Sequence, residues 1–306
     1  MIALLYARIR PEERLIAEAM AARSIEHELV DVRTLVYDPE SLGDLARFDV
    51  VFDRCLSLTQ AAVALEILGG LGVRTVNPID TVRVCSDKLA TTVALARAGI
   101  AQPRCRVATD ADAALRAVEE IGYPCVLKPT VGSWGRLLAR LNDRDAAEAV
   151  IEHKATLGSV AHSVFYIQEF IDKPGRDLRI FTVGGRAIAG IERRAEHWVT
   201  NTARGAEAAG ITVTDEIRDI SERAAAAMGG DIVAVDLLED PERGHLVCEC
   251  NHTMEFRNSI AATGVDIPGL MVEHVAEVME RARAKNEASR GRTPADHPAN
   301  PREVAP

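Results

Sequence analysis

Two carboxylates and an amide are spaced so that one β-hairpin would bring them together. Residues 231–259 contain two runs of strand-forming residues, Ile232 to Leu238 and His245 to Asn251, separated by Glu-Asp-Pro-Glu-Arg-Gly. This turn composition predicts an antiparallel pair. Folding about the turn places Asp236 opposite Glu249, and strand alternation keeps Asn251 on the same face as Glu249.

This arrangement predicts a cation site. Like charges placed across a ladder repel each other, and oxygen ligands suit Mg²⁺ or Mn²⁺. A cation bound by so few protein ligands would keep coordination positions open for water and phosphate oxygens. The alternative is a solvated hairpin carrying two ordinary acids. Cys248 and Cys250 flank Glu249, so alternation predicts both on the opposite face as small core residues.

A lysine and a glycine-containing loop form a second candidate for phosphate binding. Lys128 ends a predicted strand from Tyr123, and Gly132, Ser133 and Gly135 follow it. Glycine lets backbone N–H groups approach phosphate oxygens, and lysine adds a point charge. The spacing is not that of a Walker motif, and an ordinary hairpin turn is the alternative.

Another lysine and a group of arginines could contribute further positive charge. Lys88 lies on a predicted helix from Asp80 to Ala98, where a solvated surface position is the alternative. A hairpin from Leu178 to Arg193 is predicted to turn at Gly184-Gly185. The arginines around it are Arg176, Arg179, Arg193, Arg194 and Arg204. Alternation puts Arg193 and Arg194 on opposite faces, and a solvated sheet face remains an alternative for the whole group.

The predicted strands and helices that carry these residues are those of an α/β protein. Residues 1–85 alternate strands and helices, which predicts a parallel sheet, and no G-x-G-x-x-G follows the first strand. We expect a central domain at 86–163 and a C-terminal domain with an antiparallel sheet at 164–285. Residues 286–306 lack periodicity and are predicted to be disordered.

Composition excludes several classes of protein. The chain has 306 residues, 47% of them hydrophobic and 27% charged, and a net charge of -10. This charge argues against a general nucleic-acid binder, and no apolar run is long enough to span a membrane. Its six scattered cysteines are predicted to be reduced thiols in a cytoplasmic protein.

The order of these motifs resembles the ATP-grasp superfamily over nearly the whole chain except the tail. The resemblance is closest to its RimK-related branch of ribosomal-protein glutamate ligases, and within that branch to the LysX ligases of lysine biosynthesis. The phrases GSWGRLLA, FYIQEFIDKPGRDLR, HWVTNTARG and NHTMEFRNS carry this closer match. It implies an N-terminal α/β domain, a small central lid domain and a C-terminal antiparallel-sheet domain.

The resemblance also implies roles for individual residues. ATP would contact Lys88, Lys128, the lid loop Gly132, Ser133, Trp134, Gly135 and Arg136, the segment Gln168, Glu169, Phe170 and Ile171, and also Asp177 and Thr202. Arg193, Asn201 and Arg204 would approach the γ-phosphate and the reacting carboxylate. Asp236, Glu249 and Asn251 would hold Mg²⁺, with two ions expected and Mn²⁺ as a substitute. Substrate specificity would depend on Asn258, Ser259, Arg179 and Arg194.

The implied reaction consumes ATP through an acyl phosphate. It joins the side-chain carboxylate of the C-terminal glutamate of a small acidic amino-group carrier protein to the α-amino group of L-2-aminoadipate. In this family an Asn-[Ser/Thr] pair marks the aminoadipate ligases, and here it reads Asn258-Ser259. A glutamate-using ligase of the same fold and a non-catalytic ATP-binding regulator are the alternatives. The resemblance further implies a homo-oligomer.

Overall fold

A computed structural model describes residues 1–132, 136–158, 163–200 and 205–290. The N-terminal part is the predicted parallel sheet, with strand order β2-β1-β3-β4. Its strands are β1 (Ile2–Tyr6), β2 (His27–Asp31), β3 (Val50–Asp53) and β4 (Arg74–Val76), and helices α1 (Pro11–Ala22) and α2 (Leu58–Gly70) connect them. The near-continuous apolar strands β1 and β3 are buried, as expected for parallel strands covered on both faces.

The segment predicted as one helix from Asp80 to Ala98 forms two helices, so that prediction is wrong. Helix α3 (Ile79–Ser86) ends before Asp87, and α4 (Lys88–Arg97) begins after it. The Asp87 carboxylate accepts hydrogen bonds from the backbone N–H groups of Leu89 and Ala90 and therefore caps α4. The break places Lys88 at the start of a helix instead of in its middle.

A second, antiparallel sheet follows, with strand order β5-β8-β6-β7. Its strands are β5 (Cys105–Ala108), β6 (Cys125–Lys128), β7 (Ala139–Leu141) and β8 (Phe165–Glu169), and its helices are α5 (Ala111–Ile121) and α6 (Arg144–Leu157). The apolar faces of both helices pack on this sheet in a separate small core. Strand β6 ends at Lys128, as the sequence predicted.

The C-terminal sheet has strand order β11-β10-β9-β12-β13. Its strands are β9 (Arg176–Val183), β10 (Arg186–Arg194), β11 (Glu207–Gly210), β12 (Ile232–Asp240) and β13 (Gly244–Asn251), and its helices are α7 (Asp215–Ala227), α8 (Arg257–Thr263) and α9 (Ile267–Arg290). Gly184 and Gly185 have φ angles of 57° and 77°, which confirms the tight turn between β9 and β10.

The sequence prediction missed strand β11 and helix α8 and placed the start of the disordered tail too early. Both missed elements are short. Strand β11 pairs with β10, and α8 packs against β10 and β11. Helix α9 continues to Arg290, so the predicted disorder is wrong for residues 286–290, which are helical. The remainder of the tail, residues 291–306, lies outside the described residues. No helix within the described ranges is long and apolar enough to cross a membrane.

One hydrophobic core connects the N-terminal and C-terminal sheets. It contains Leu4 and Phe52 from the first sheet, Phe181 from the C-terminal sheet, and Met271 and Val275 from α9. All five side chains are at most 2% exposed. The two sheets therefore pack as one unit through α9, and burial of this apolar surface stabilises their arrangement.

A buried asparagine fixes the same junction with hydrogen bonds. The Asn77 amide nitrogen donates to the carbonyl oxygens of Ile232 at 2.7 Å and His252 at 3.0 Å. Its amide oxygen accepts from the backbone N–H groups of Asp231 at 2.8 Å and Ile232 at 2.9 Å. The first sheet is thereby tied to the start of β12 and to the residue after β13.

We expect Asn77→Ala to lower the free energy of unfolding by about 2–4 kcal/mol, because buried backbone groups lose their partners. Urea unfolding would measure the change. Asn142→Ala, at an exposed asparagine, is the control and should change stability by roughly 0.5 kcal/mol or less. Equal, small effects of the two substitutions would contradict this role of Asn77.

Candidate functional site

A cavity of about 420 Å³ lies where the three sheets meet. Its volume is in the range of small-molecule sites in proteins. Residues of all three parts of the chain line it, including Leu56 after β3, Lys128 at the end of β6, and Asp236 on β12. The predicted site residues found on its wall are Lys88, Lys128, Gly132, Arg136, Gln168, Glu169, Phe170, Ile171, Asp177, Arg179, Arg193, Asp236, Glu249 and Asn251.

The Asp236 carboxylate is held by two arginines of neighbouring strands. Arg179 on β9 donates two hydrogen bonds to it, at 2.7 and 2.8 Å, and Arg193 on β10 lies 3.1 Å away. Burial by itself would raise the pKa of Asp236, but Arg179 and Arg193 outweigh it and hold the pKa at about 2. The repulsion predicted between Asp236 and Glu249 is therefore relieved by guanidinium groups in this arrangement.

Asp177 extends this ion network at the other side of Arg193. Its carboxylate accepts a hydrogen bond from Arg193 Nε at 2.6 Å and another from the Thr200 hydroxyl. Lys173 lies 3.6 Å from Asp177 and donates to Thr200. Burial lowers the pKa of Lys173. The network thus contains alternating acids and bases along one wall of the cavity.

Glu249 lies opposite Asp236, which confirms the predicted register. Lys88 Nζ is 3.3 Å from the Glu249 carboxylate and also donates to the Gly132 carbonyl oxygen at 2.8 Å. Lys88 thereby connects the start of α4 with the glycine loop and the acidic hairpin. Position and charge both make it suitable for contacting a phosphate.

The three predicted metal ligands have the donor set that Mg²⁺ requires. Asp236, Glu249 and Asn251 line the same cavity and supply carboxylate and amide oxygens. The Asn251 amide nitrogen is buried and has no hydrogen-bond partner among the described residues, so this nitrogen does not hold the amide in one orientation. The residues therefore fit a magnesium site.

A bulge in β13 changes the prediction for one cysteine. Asp236 pairs with Glu249, but the next residue, Leu237, pairs with Val247, and Cys248 is the extra residue between them. Bulges re-aim side chains, and Cys248 lines the cavity with its Sγ atom 3.7 Å from Lys128 Nζ. Cys248 was predicted on the face of the strand opposite to that of Glu249, and this prediction is wrong. Cys250 is buried in the core, as predicted.

The strand β8 and the residues after it form another part of the wall. Lys128 donates to the Gln168 side-chain oxygen at 2.6 Å, and Glu169 accepts hydrogen bonds from Arg104 and Arg243. The ring of Phe170 contacts Trp198 edge-on, with ring centroids 6.1 Å apart. Aromatic and apolar side chains beside polar groups could accommodate a purine ring.

Several predicted residues lie elsewhere or outside the described ranges. Arg194 is on the exposed face of β10 and pairs with Glu192. Asn258 is exposed and Ser259 is buried on α8, and neither is on the cavity wall. Residues Ser133, Trp134, Gly135, Asn201, Thr202 and Arg204 fall outside the described residues.

Sequence reasoning missed Lys173, Thr200 and the cavity position of Cys248. Lys173 and Thr200 are in irregular segments without periodicity, so no strand or helix pattern indicated their direction. The signal that could have found Lys173 is its position four residues before Asp177 in the same loop-to-strand segment. No sequence signal indicated the bulge at Cys248.

We expect iodoacetamide to modify Cys248 faster than Cys250 in the folded protein. Cys248 is partly exposed on the cavity wall, whereas Cys250 is 0% exposed and burial raises its thiol pKa. ATP with Mg²⁺ should slow the modification of Cys248. Peptide mass spectrometry would measure both rates, with the partly exposed Cys105 as a control that ATP leaves unchanged. Equal labelling of Cys248 and Cys250 would contradict the bulge.

Two families of protein domains match the chain. The LysX preATP-grasp domain matches residues 2–84, and the RimK-like ATP-grasp domain matches residues 85–275. Among curated proteins, the chain is 32% identical to the glutamate–LysW ligase ArgX of Sulfurisphaera tokodaii, covering 90% of this chain and 98% of that protein. It is also 32% identical to the α-aminoadipate–LysW ligase LysX of the same organism, covering 92% and 100%.

Solved structures show the same relationship. A RimK domain ATP-grasp protein from Sphaerobacter thermophilus is similar with a TM-score of 0.74 at 31% identity, covering 89% of this chain and 98% of that one. The D-alanine–D-alanine ligase of Bacillus anthracis shares the fold, with a TM-score of 0.66 at 16% identity over 93% and 99% of the two chains. The chain therefore belongs to the RimK-like ATP-grasp family and is an ATP-dependent carboxylate–amine ligase.

Proposed function

We propose that this ligase joins the side-chain carboxylate of the C-terminal glutamate of a small acidic amino-group carrier protein to the α-amino group of L-2-aminoadipate, in lysine biosynthesis. Similarity to both LysW ligases over nearly their full length supports the carrier as partner. The Asn258-Ser259 pair favours aminoadipate over glutamate. The observation that carries the proposal is the grouping of Lys88, Lys128 and Arg193 with three oxygen ligands in one cavity.

The chemistry explains why the cavity contains so many cations. A carboxylate is a poor electrophile because its leaving group would be oxide. Transfer of the γ-phosphoryl group of ATP to the carboxylate gives an acyl phosphate and ADP. The substrate nitrogen then bonds to the acyl carbon, the bond from that carbon to the phosphate oxygen breaks, and inorganic phosphate leaves. The nitrogen, initially an ammonium, gives up one proton before the attack and another as the amide forms.

The residues of this chain would bind and orient the charged groups. In this proposal Lys88 and Lys128 would contact phosphate oxygens, and Arg193 would neutralise charge on the reacting carboxylate. Asp236, Glu249 and Asn251 would hold two Mg²⁺ ions, with Mn²⁺ as a substitute. Bound Mg²⁺ neutralises phosphate charge during phosphoryl transfer. In this proposal Arg179 and Arg193 keep Asp236 ionised and oriented.

A glutamate-using carrier-protein ligase is the second candidate. Its supporting observation is that the chain is as similar to the ArgX ligase as to the LysX ligase, at 32% identity to each. The two candidates share the cavity, the carrier and the acyl phosphate. They differ in one methylene group of the amino acid.

ADP release with Mg²⁺ and ATP tests the proposed function. The assay presents L-2-aminoadipate or L-glutamate, each with and without an acidic carrier protein that ends in glutamate. We expect turnover only when the carrier and aminoadipate are both present. A preference for glutamate with the carrier would establish the second candidate, and no turnover with any pairing would reject both.

We propose that Arg194 contributes to carrier docking. Its side chain is 53% exposed, so its positive charge can attract an acidic partner. We expect Arg194→Glu to raise the KM for the carrier about tenfold or more and to leave the affinity for ATP nearly unchanged. Arg186→Glu, at the exposed other end of β10, is the matched control. An unchanged carrier KM for Arg194→Glu would contradict this role.

A further inference from the structure

We propose that Glu255 and Arg10 bind the amino-acid substrate, with Glu255 contacting its α-ammonium group and Arg10 its α-carboxylate. This inference rests on the proposed function, because it assigns the amino acid to one end of the same cavity. It concerns residues that the family resemblance did not assign. The site lies where the N-terminal sheet meets the segment after β13.

Glu255 is a carboxylate on the cavity wall that forms a loose ion pair with Arg10. It lines the cavity beside Met254, and Leu56 lies on the same wall. Its side chain is 42% exposed, and its Oε1 atom is 3.6 Å from Arg10 Nη1. This distance is too long for a hydrogen bond. Glu255 is thus accessible from the cavity, whereas Arg10 is 12% exposed and lies next to Glu255 just off the cavity wall.

The guanidinium group of Arg10 is held in place on its other side. Its Nε and Nη2 atoms donate to the Glu13 carboxylate at 2.9 and 2.5 Å, and Glu13 is 0% exposed. Burial favours a higher pKa for Glu13, but Arg10 and Arg54 outweigh it and lower the pKa. Glu13 therefore stays ionised and fixes Arg10. The remaining nitrogen, Nη1, is the one that faces Glu255.

The Nη1 atom of Arg10 is a buried donor without a hydrogen-bond acceptor in the described part of the chain. Buried side-chain donors are usually satisfied, and an unsatisfied one near a charged group costs free energy. A ligand carboxylate that took the place of the Glu255 carboxylate beside Nη1 would satisfy this nitrogen. This nitrogen is therefore suited to contact an anionic group of a ligand.

Arg54 stabilises the same end of the cavity through contacts with Met254 and Glu13. It is 1% exposed, donates to the Met254 carbonyl oxygen at 2.9 Å and lies 3.3 Å from Glu13. Its Nη1 atom also has no partner among the described residues. Arg54 holds the backbone of Met254, the residue before Glu255. It is therefore a positioning residue, because it fixes the backbone from which the Glu255 side chain extends.

The charges of this pair match those of an α-amino acid. The ammonium and carboxylate of such a substrate are attached to one carbon atom, so a complementary site needs adjacent opposite charges. Arg10 and Glu255 supply one of each sign. A ligand bound beside the pair would exchange this loose ion pair for two charge-assisted contacts, which are the strong kind of hydrogen bond.

Amino-acid binding measured by calorimetry tests the inference without requiring turnover. The protein is loaded with Mg²⁺ and a non-hydrolysable ATP analogue, and L-2-aminoadipate and L-glutamate are titrated separately. We expect Glu255→Gln to weaken binding of the preferred amino acid by about tenfold or more, because a charged partner is lost. The affinity for the nucleotide analogue should stay unchanged. Glu273→Gln is the matched control, since Glu273 is also a half-exposed acid paired with an arginine.

A second arm tests Arg10 with a substrate analogue. We expect Arg10→Gln to weaken binding of aminoadipate and to leave binding of 5-aminopentanoate, which lacks the α-carboxylate, unchanged. Thermal unfolding would verify that this variant is folded. If it is not, Glu255→Gln alone decides. Equal affinity of Glu255→Gln and the unsubstituted protein, or no binding to the unsubstituted protein, would overturn the inference. Binding that depends on Glu255 without carrier-dependent turnover would support the subsite and reject the proposed function.

Discussion

The buried carboxylate of Asp236 is the constraint on which the rest of the site depends. An ionised acid in this position requires nearby positive charge, and Arg179 and Arg193 supply it from two neighbouring strands. Their alignment depends in turn on the register of β9 with β10 and β12. A change in that register would leave charges buried without partners. The charge pairing in the cavity therefore depends on the strand order and register of the C-terminal sheet.

The same requirement explains how a ligase can hold reactants of high negative charge in a protein of net charge -10. Several cations line the cavity where the three sheets meet, and most of them contact an acid of the protein. Lys88 contacts Glu249, and Arg193 contacts Asp177 and Asp236. Incoming phosphate and carboxylate groups would compete for these cations, so the basic residues are in place before substrates bind.

The junction between the N-terminal and C-terminal sheets serves both stability and the site. Asn77 fixes the start of β12 and the carbonyl of His252, and Arg54 fixes the carbonyl of Met254. Both contacts hold the backbone around the end of β13, the strand that contains the proposed metal ligands Glu249 and Asn251. Substrate contacts on this segment would therefore be set by residues of the other sheet, more than 150 positions earlier in the chain.

The sequence by itself determined the alternation of strands and helices, the hairpin that pairs Asp236 with Glu249, and the turn at Gly184-Gly185, because these depend on local periodicity and turn chemistry. The tertiary structure decided the rest. It divided one helix at Asp87, turned Cys248 into the cavity through a bulge, and placed Arg10 beside Glu255. The break at Asp87 also has a local signal, because the Asp87 carboxylate caps α4. The bulge and the contact of Arg10 with Glu255 depend instead on cross-strand and long-range contacts, which no local pattern encodes.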